Sequence, residues 1–330
     1  MRLAATRLIF LLAGAVTVAA CGPYSVGENL ALKTTPKVLK RGQPALQMES
    51  DYELARQAIP GALKTVESFW INSPDNPQLL SILTEGYCQY GTAFVEDDWE
   101  AARLKKDLEA TEYHNDRSTK MFTRCLNYAL TMLGDRWKKE IFANSDVVAK
   151  LVKDTGKGKR FQLMFAGLAL GSLINHNQTR VDGTINSDML GYLDTVTQIL
   201  RRVIEIDGPT PKTCPAVPAP CPGTTTHLVM PYVAFGMLDT ARSKALGGDP
   251  EKGKAMFQKA IDLTGGRFLL ARALMGIRYG IAANDRKFFH EQLKIVLETP
   301  PSVWPEQRLA NEVAHRKARR YLKLEKELFQ

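Results

Sequence analysis

The sequence predicts an all-α protein, a solenoid of stacked helical hairpins. Three observations carry that prediction. From Asp51 to the C-terminus, apolar side chains recur at intervals of three and four residues. No stretch sustains the period-two alternation of a half-buried strand. The helical segments also come in pairs joined by short turns. Composition agrees: of 330 residues, 45% are apolar and 24% charged. That excludes a disordered, collagenous or polytopic membrane chain. The formal charge of +9 is spread along the chain, so no nucleic-acid partner is expected.

The first element is an address. Arg2 and Arg7 form a positive n-region, and Leu8 to Val18 is an apolar run interrupted only by Gly14 and Thr17. Residues 1–20 therefore read as a secretory signal, too short for a membrane span. Val18-Ala19-Ala20-Cys21 has the small residues and the thiol of a bacterial lipobox. The mature chain is expected to start at a lipidated Cys21 and to sit on a membrane surface. The plainer alternative is an ordinary signal whose cleavage exposes a cysteine. Gly22 follows, with no Asp to suggest inner-membrane retention, so an exported, outer-membrane-anchored protein facing the periplasm or the surface is expected. Residues 21–50 hold Pro23, Pro36, Gly42 and Pro44 with little periodicity and read as a tether. Residues 51–330 form the helical domain. Its longest apolar stretch, Phe161 to Ile174, has the length of a buried core helix.

The helices follow in order. Pro60-Gly61 opens a segment carrying Leu63, Val66, Phe69 and Trp70, stopped at Pro74. Pro77 opens the next, with Leu79, Leu80, Leu83, Tyr87, Tyr90 and Phe94 on one side. A charged insertion is expected from Glu96 to about Arg117. Met121, Phe122, Cys125, Tyr128, Ala129 and Met132 then recur at helical spacing up to a stop at Gly134. Ser145 caps a short segment with Val147, Val148 and Leu151. Met189 to Ile206 is amphipathic. Segments 227–245, 250–263, 268–283, 287–297 and 305–329 complete the series.

One pair fits a repeat template. Gly248-Asp249-Pro250 starts a helix in which Gly253, Phe257 and Ala260 stand where tetratricopeptide repeats place small, aromatic and small residues. The template puts Met237 and Ala241 at the packing positions of the preceding helix. Gly86, Phe122 and Cys125 fit an earlier pair more loosely, separated by the charged insertion. Short side chains matter here because helices approach to ~8–10 Å only where side chains are small. A generic helical bundle is the competing reading.

The cysteines divide by context. Cys214 and Cys221 bracket a Pro-rich loop, and an oxidising compartment makes a local disulfide between them the expectation. Three prolines among the six intervening residues oppose it by stiffening the loop. Cys88 and Cys125 lie in helical patterns and read as plain buried thiols.

Several features together resemble one family. They are the lipobox cysteine; Ser73-Pro74-Asp75-Asn76-Pro77-Gln78-Leu79-Leu80; Gly86-Tyr87 followed by Ala93-Phe94-Val95-Glu96-Asp97; Gly247-Gly248-Asp249-Pro250-Glu251-Lys252 with Phe257 and Ala260; and Arg308-Leu309-Ala310-Asn311 running to Leu328-Phe329. In order and spacing they are similar to the T-component of tripartite ATP-independent periplasmic (TRAP) transporters, over Asp51 to Phe329. The Pro- and Cys-rich loop from Pro209 to Gly223 departs from that pattern as an insertion. The resemblance implies a lipoprotein of degenerate tetratricopeptide-like repeats that docks the transporter's periplasmic solute-binding protein. It also implies a homo-oligomer, in the family's description a ring-like trimer with a pore, and a small hydrophobic ligand. An envelope-assembly or scaffold lipoprotein is the alternative.

The residues give no enzyme and no cofactor. His114, His176, His227, His290 and His315 form no helical metal-binding pair. Glu96-Asp97-Asp98 lacks the alternating loop of a calcium site and is expected to cap a helix or face water. Gly156-Lys157-Gly158-Lys159 lacks the first glycine and the Ser or Thr of a phosphate loop, and no nucleophile elbow occurs. The basic residues of the last helix, Arg308 to Lys326, read as a solvated face. Asn311 and His315, one turn apart, are placed to hydrogen-bond. Tyr87, Phe94 and His227 are the candidate lining of a ligand cleft, with core packing as the competing role.

Overall fold

The computed structural model describes residues 25–178, 184–208, 225–241 and 248–329. Cys21, Cys214 and Cys221 lie outside the described residues. Helices account for nearly all of the described chain, and it contains no strand.

The segment expected to be a tether is helical. Helix α1, Val26–Gly42, starts with a capping box: the Ser25 side chain accepts from Glu28 N, and the Glu28 carboxylate accepts from Ser25 N. Pro36 lies inside α1 and is buried. Leu39 packs on the main core, and Lys40 pairs with Glu85 at 3.1 Å. A four-residue turn, Pro44–Gln47, follows.

Helix α2 is Tyr52–Asn72, so Pro60 lies inside it and does not open it. Asp51 caps it, accepting from the backbone of Glu53 and Leu54, and burial of Ala55 and Ile59 holds the turns before the proline. Helix α3, Pro77–Tyr90, is capped by Asn76 and continues through a π-helical segment, Gly91–Val95, into α4, Glu96–Leu104. Lys106 then turns the chain with a positive φ. Helix α5, Leu108–Leu133, ends at Gly134, whose φ of 110° favours glycine. The charged insertion is thus helical on both sides of the turn at Lys106, with Trp99 and Ala102 buried.

Cys88 of α3 and Cys125 of α5 form a disulfide, so they are not plain thiols. The two helices approach closely enough because Gly91 lies against the Phe122 ring; a Cβ there would stand 3.0 Å from it. Gly86 likewise leaves room for Leu63.

Helices α6, Ser145–Asp154, α7, Arg160–Asn177, and α8, Leu193–Asp207, follow. Helix α7 is buried nearly all round, packing on both α5 and α8. Helices α9, Thr226–Ala241, and α10, Pro250–Leu263, form the hairpin that matched the repeat template. Gly253, Phe257 and Ala260 are buried as expected. On α9 the crossing is made one residue earlier than the template placed it. Gly236 takes the Phe257 ring, Thr240 meets Gly253, and Ala241 is exposed. Helix α9 is apolar all round, so its sequence does not declare which side faces α10. Helices α11, Leu269–Ala282, and α12, Arg286–Glu298, repeat the device, with Gly276 against Leu293 and Gly280 against Phe289.

Each long helix packs mainly on its sequence neighbours, as in a solenoid. The last helix breaks that rule. Helix α13, Arg308–Lys323, packs on α11 and α12 but also on α2 and the Pro44–Gln47 turn. The two ends of the stack therefore meet.

Candidate functional site

The meeting of the ends is built from charge. The π-helical segment Gly91–Val95 inserts an extra residue into the helical path, and Asp97 and Glu100 emerge beyond it one turn apart on α4. Asp97 is fully buried. It accepts from Arg316 Nε at 2.8 Å and Arg320 Nη2 at 2.6 Å, with Lys317 at 3.4 Å. Glu100 accepts from Lys317 Nζ at 2.6 Å, Arg320 Nη2 at 2.6 Å and the Tyr321 hydroxyl at 2.8 Å, and Arg278 stands 3.8 Å away.

Burial alone would raise the pKa of Asp97. The Lys317 ammonium and the Arg320 and Arg316 guanidiniums outweigh it and hold the carboxyl below its usual range. Glu100 is driven the same way, with burial opposed by Lys317, Arg278 and Arg320. Tyr321 is pushed up by burial and by the Glu100 carboxylate. Two buried carboxylates thus neutralise part of a cluster of four cations. Of the acidic run expected to cap a helix or face water, Asp97 is instead buried against Arg316, Lys317 and Arg320 of the basic face expected to be solvated, while Asp98 pairs with Arg56 and Glu96 meets His176. Asn311 and His315 do not bond to each other either. Asn311 accepts from Leu269 N and donates to the Arg267 and Pro301 carbonyls, and His315 meets the Thr299 carbonyl at 2.9 Å.

An open cleft of 490 Å³ lies beside this seam. The start of α2 lines it with Ser50, Asp51, Tyr52 and Glu53, and α13 with Glu312, Arg316 and Arg319. The Arg316 guanidinium stacks 4.7 Å over the Tyr52 ring. Behind Tyr52, 4.8 Å away, is the ring of Phe94, and the Tyr52 hydroxyl donates to the Ala93 carbonyl at 3.3 Å. Arg319 is exposed and Arg308 pairs with Glu312. The cleft offers an aromatic face, guanidiniums and carboxylates: groups that dock a surface through stacking and ion pairs.

The structure does not bring the three expected cleft residues together. Phe94 is 1% exposed and forms the layer behind Tyr52. Tyr87 is 4% exposed; its hydroxyl and that of Tyr128 both donate to Glu67, at 2.7 and 2.9 Å. His227 keeps a third of its side chain exposed. Its ring meets the edges of Phe161 and Phe165, and its Nε2 lies 3.1 Å from the buried Glu85 carboxylate. Lys40, Gln47 and Gln89 also donate to Glu85. Burial would raise the Glu85 pKa, but His227 and Lys40 lower it to about 2.

Sequence reasoning missed Tyr52, Asp97, Glu100 and Arg316 as site residues. The available signal was the opposite charge of two short segments, Glu96–Glu100 and Arg316–Arg320, but nothing in the sequence pairs segments so far apart. His176, buried against Trp99, lies 3.0 Å from Glu96 and 2.7 Å from Asn115. Among the described residues no cluster of His, Cys, Asp and Glu is arranged to hold a metal ion.

A stack of helical hairpins, closed by a buried charge seam and bearing an open mixed-charge cleft, defines an all-α helical-repeat protein. Residues 48–210 and 230–329 match the model of the TRAP transporter T-component family, and the chain belongs to that family. Its role is therefore in a TRAP transporter, in a family not known for catalysis. A search of curated proteins returned no match.

Proposed function

We propose that this chain is a lipid-anchored, non-enzymatic TRAP transporter component that docks the periplasmic solute-binding protein and assists uptake of a small hydrophobic ligand. The family match over residues 48–329 is the observation that carries this reading. The cleft between α2 and α13 suits the docking role, because Tyr52, Arg316 and Arg319 are the aromatic and arginine side chains that anchor interfaces. His227, a third exposed with its ring beside Phe161 and Phe165 and its Nε2 on Glu85, sets a polar tip next to two aromatic side chains, which suits a ligand with an apolar body and a polar end. The Cys88–Cys125 disulfide is in keeping with export to an oxidising compartment. A lipidated Cys21 at the outer membrane and assembly as a trimer complete the proposal.

The test is co-purification with a TRAP solute-binding protein from the same genome. The expected result is a complex at micromolar concentration that is weakened at least tenfold by Glu53→Lys with Arg319→Glu, two exposed cleft positions. With both proteins folded, absence of a complex would overturn the docking role.

A further inference from the structure

Helix α1 presents two different faces. Its inner face is fixed to the body by buried Pro36, by Leu39 against the core, and by Lys40 on Glu85. At 100° per residue, the opposite side gathers Leu30, Lys33, Thr34, Lys37, Val38 and Arg41. All six are exposed, Leu30 at 61% and Val38 at 66%. Lys33, Lys37 and Arg41 stand four residues apart, so they form one stripe. None of them has an ion-pair partner among the described residues. The only acid in the helix, Glu28, is engaged with Ser25 at its start.

Position along the chain says what such a face would meet. Four peptide units separate Cys21 from Ser25, and they span at most roughly 14 Å. If Cys21 carries the acyl anchor, α1 begins within that distance of the bilayer. We propose that the outer face of α1 lies on the membrane surface, with Lys33, Lys37 and Arg41 on anionic phospholipid headgroups and Leu30 and Val38 dipping among them. The proposal rests on the lipoprotein reading for proximity, but the face itself is a property of the folded chain. A basic stripe adds an electrostatic attachment beside the acyl anchor. It also sets the direction of the body, because the inner face of α1 is locked to α3. Each such charge near an anionic surface strengthens binding about fivefold, so three give on the order of a hundredfold.

The experiment removes the anchor. The mature chain from residue 21, carrying Cys21→Ser, is mixed with phosphatidylcholine vesicles or with vesicles doped with phosphatidylglycerol, and bound protein is measured by sedimentation. The expected result is binding to the doped vesicles alone, weakening as salt rises. Lys33→Glu, Lys37→Glu and Arg41→Glu together should abolish it, with helical circular dichroism unchanged. Arg319→Glu with Lys323→Glu on α13 should leave it intact. Equal binding to both vesicle types, or a triple variant that binds like the parent, overturns the inference. So does a triple variant that keeps vesicle binding and loses the solute-binding protein, which would assign the face to an acidic protein. Mass spectrometry of Cys21 in membrane extracts decides the lipoprotein reading separately.

Discussion

Two of the buried carboxylate sites join segments far apart in the chain, and they are built on different terms. At Glu85, one carboxylate is shared by Lys40, His227 and two glutamines, drawn from α1, the turn after it, α3 and α9. At the seam, Asp97 and Glu100 face Arg278, Arg316, Lys317 and Arg320, with the last three on one helix. The first site joins α1, α3 and α9, and both of its charged partners, Lys40 and His227, keep about a third of the side chain exposed. The second joins the two ends of the chain with Lys317 only 6% exposed. Burying charge is costly unless it is paired. The seam should therefore be the more sensitive to losing a partner, while both sites should lose their contribution in acid.

The largest effect is expected at the seam. Glu100→Ala leaves Lys317 and Arg320 facing each other without their shared carboxylate, and should cost about 3–5 kcal/mol in chemical denaturation. A loss below about 1 kcal/mol would mean that water or Asp97 takes over the pairing. Next comes the disulfide. Reduction of Cys88–Cys125, or Cys88→Ala with Cys125→Ala, opens a loop with a sequence separation of 37 and should cost about 3–4 kcal/mol. It ties α3, which carries Glu85, to α5, which packs on the α4 helix of the seam, so it should weaken both.

Acid acts on both sites, because ion pairing lowers the Glu85, Asp97 and Glu100 carboxyls alike. The folded pKa of Glu85 lies at about 2 against an ordinary value of 4.5. Its contribution is present above pH 4.5 and is lost as pH falls toward 2, for a total of about 3 kcal/mol. Glu85→Gln should flatten that part of the stability profile, measured by thermal melts across pH. An unaltered acid limb in the variant would show that other carboxylates set it.

The smallest effect is at the hairpin crossings, which serve as the uncharged control. Gly236→Ala puts a methyl 2.7 Å from the Phe257 ring, and Ala260→Trp overpacks a fully buried position. Each should cost roughly 1–3 kcal/mol, independent of pH and salt.

What the sequence made legible follows the range of the interactions. Helices α3, α7, α10, α11 and α12 were readable because their apolar spacing, proline starts and turn residues act within a few positions. Helix α1 carries an equally local signal in Ser25 and Glu28, but three prolines and a glycine nearby outweighed it. Helix α2 was shortened because Pro60 reads as a start when Asp51 is the cap. The α9 phase slipped by one residue because an all-apolar helix has no face to reveal. The seam pairs residues more than two hundred positions apart, His227 reaches Glu85 across 142, and Cys88 meets Cys125 from another helix. No local pattern encodes those pairings; they exist only once the hairpins have stacked and the ends have closed.

The central claim is that closure of the stack by α2 and α13 creates the surface that meets the solute-binding protein. Hydrogen exchange with and without that protein tests it most directly. The account predicts slowed exchange at the start of α2, around Ser50 to Glu53, and along Glu312 to Arg319 of α13, with little change at α6. Protection confined to other helices, with both cleft walls exchanging as in the free chain, would contradict it.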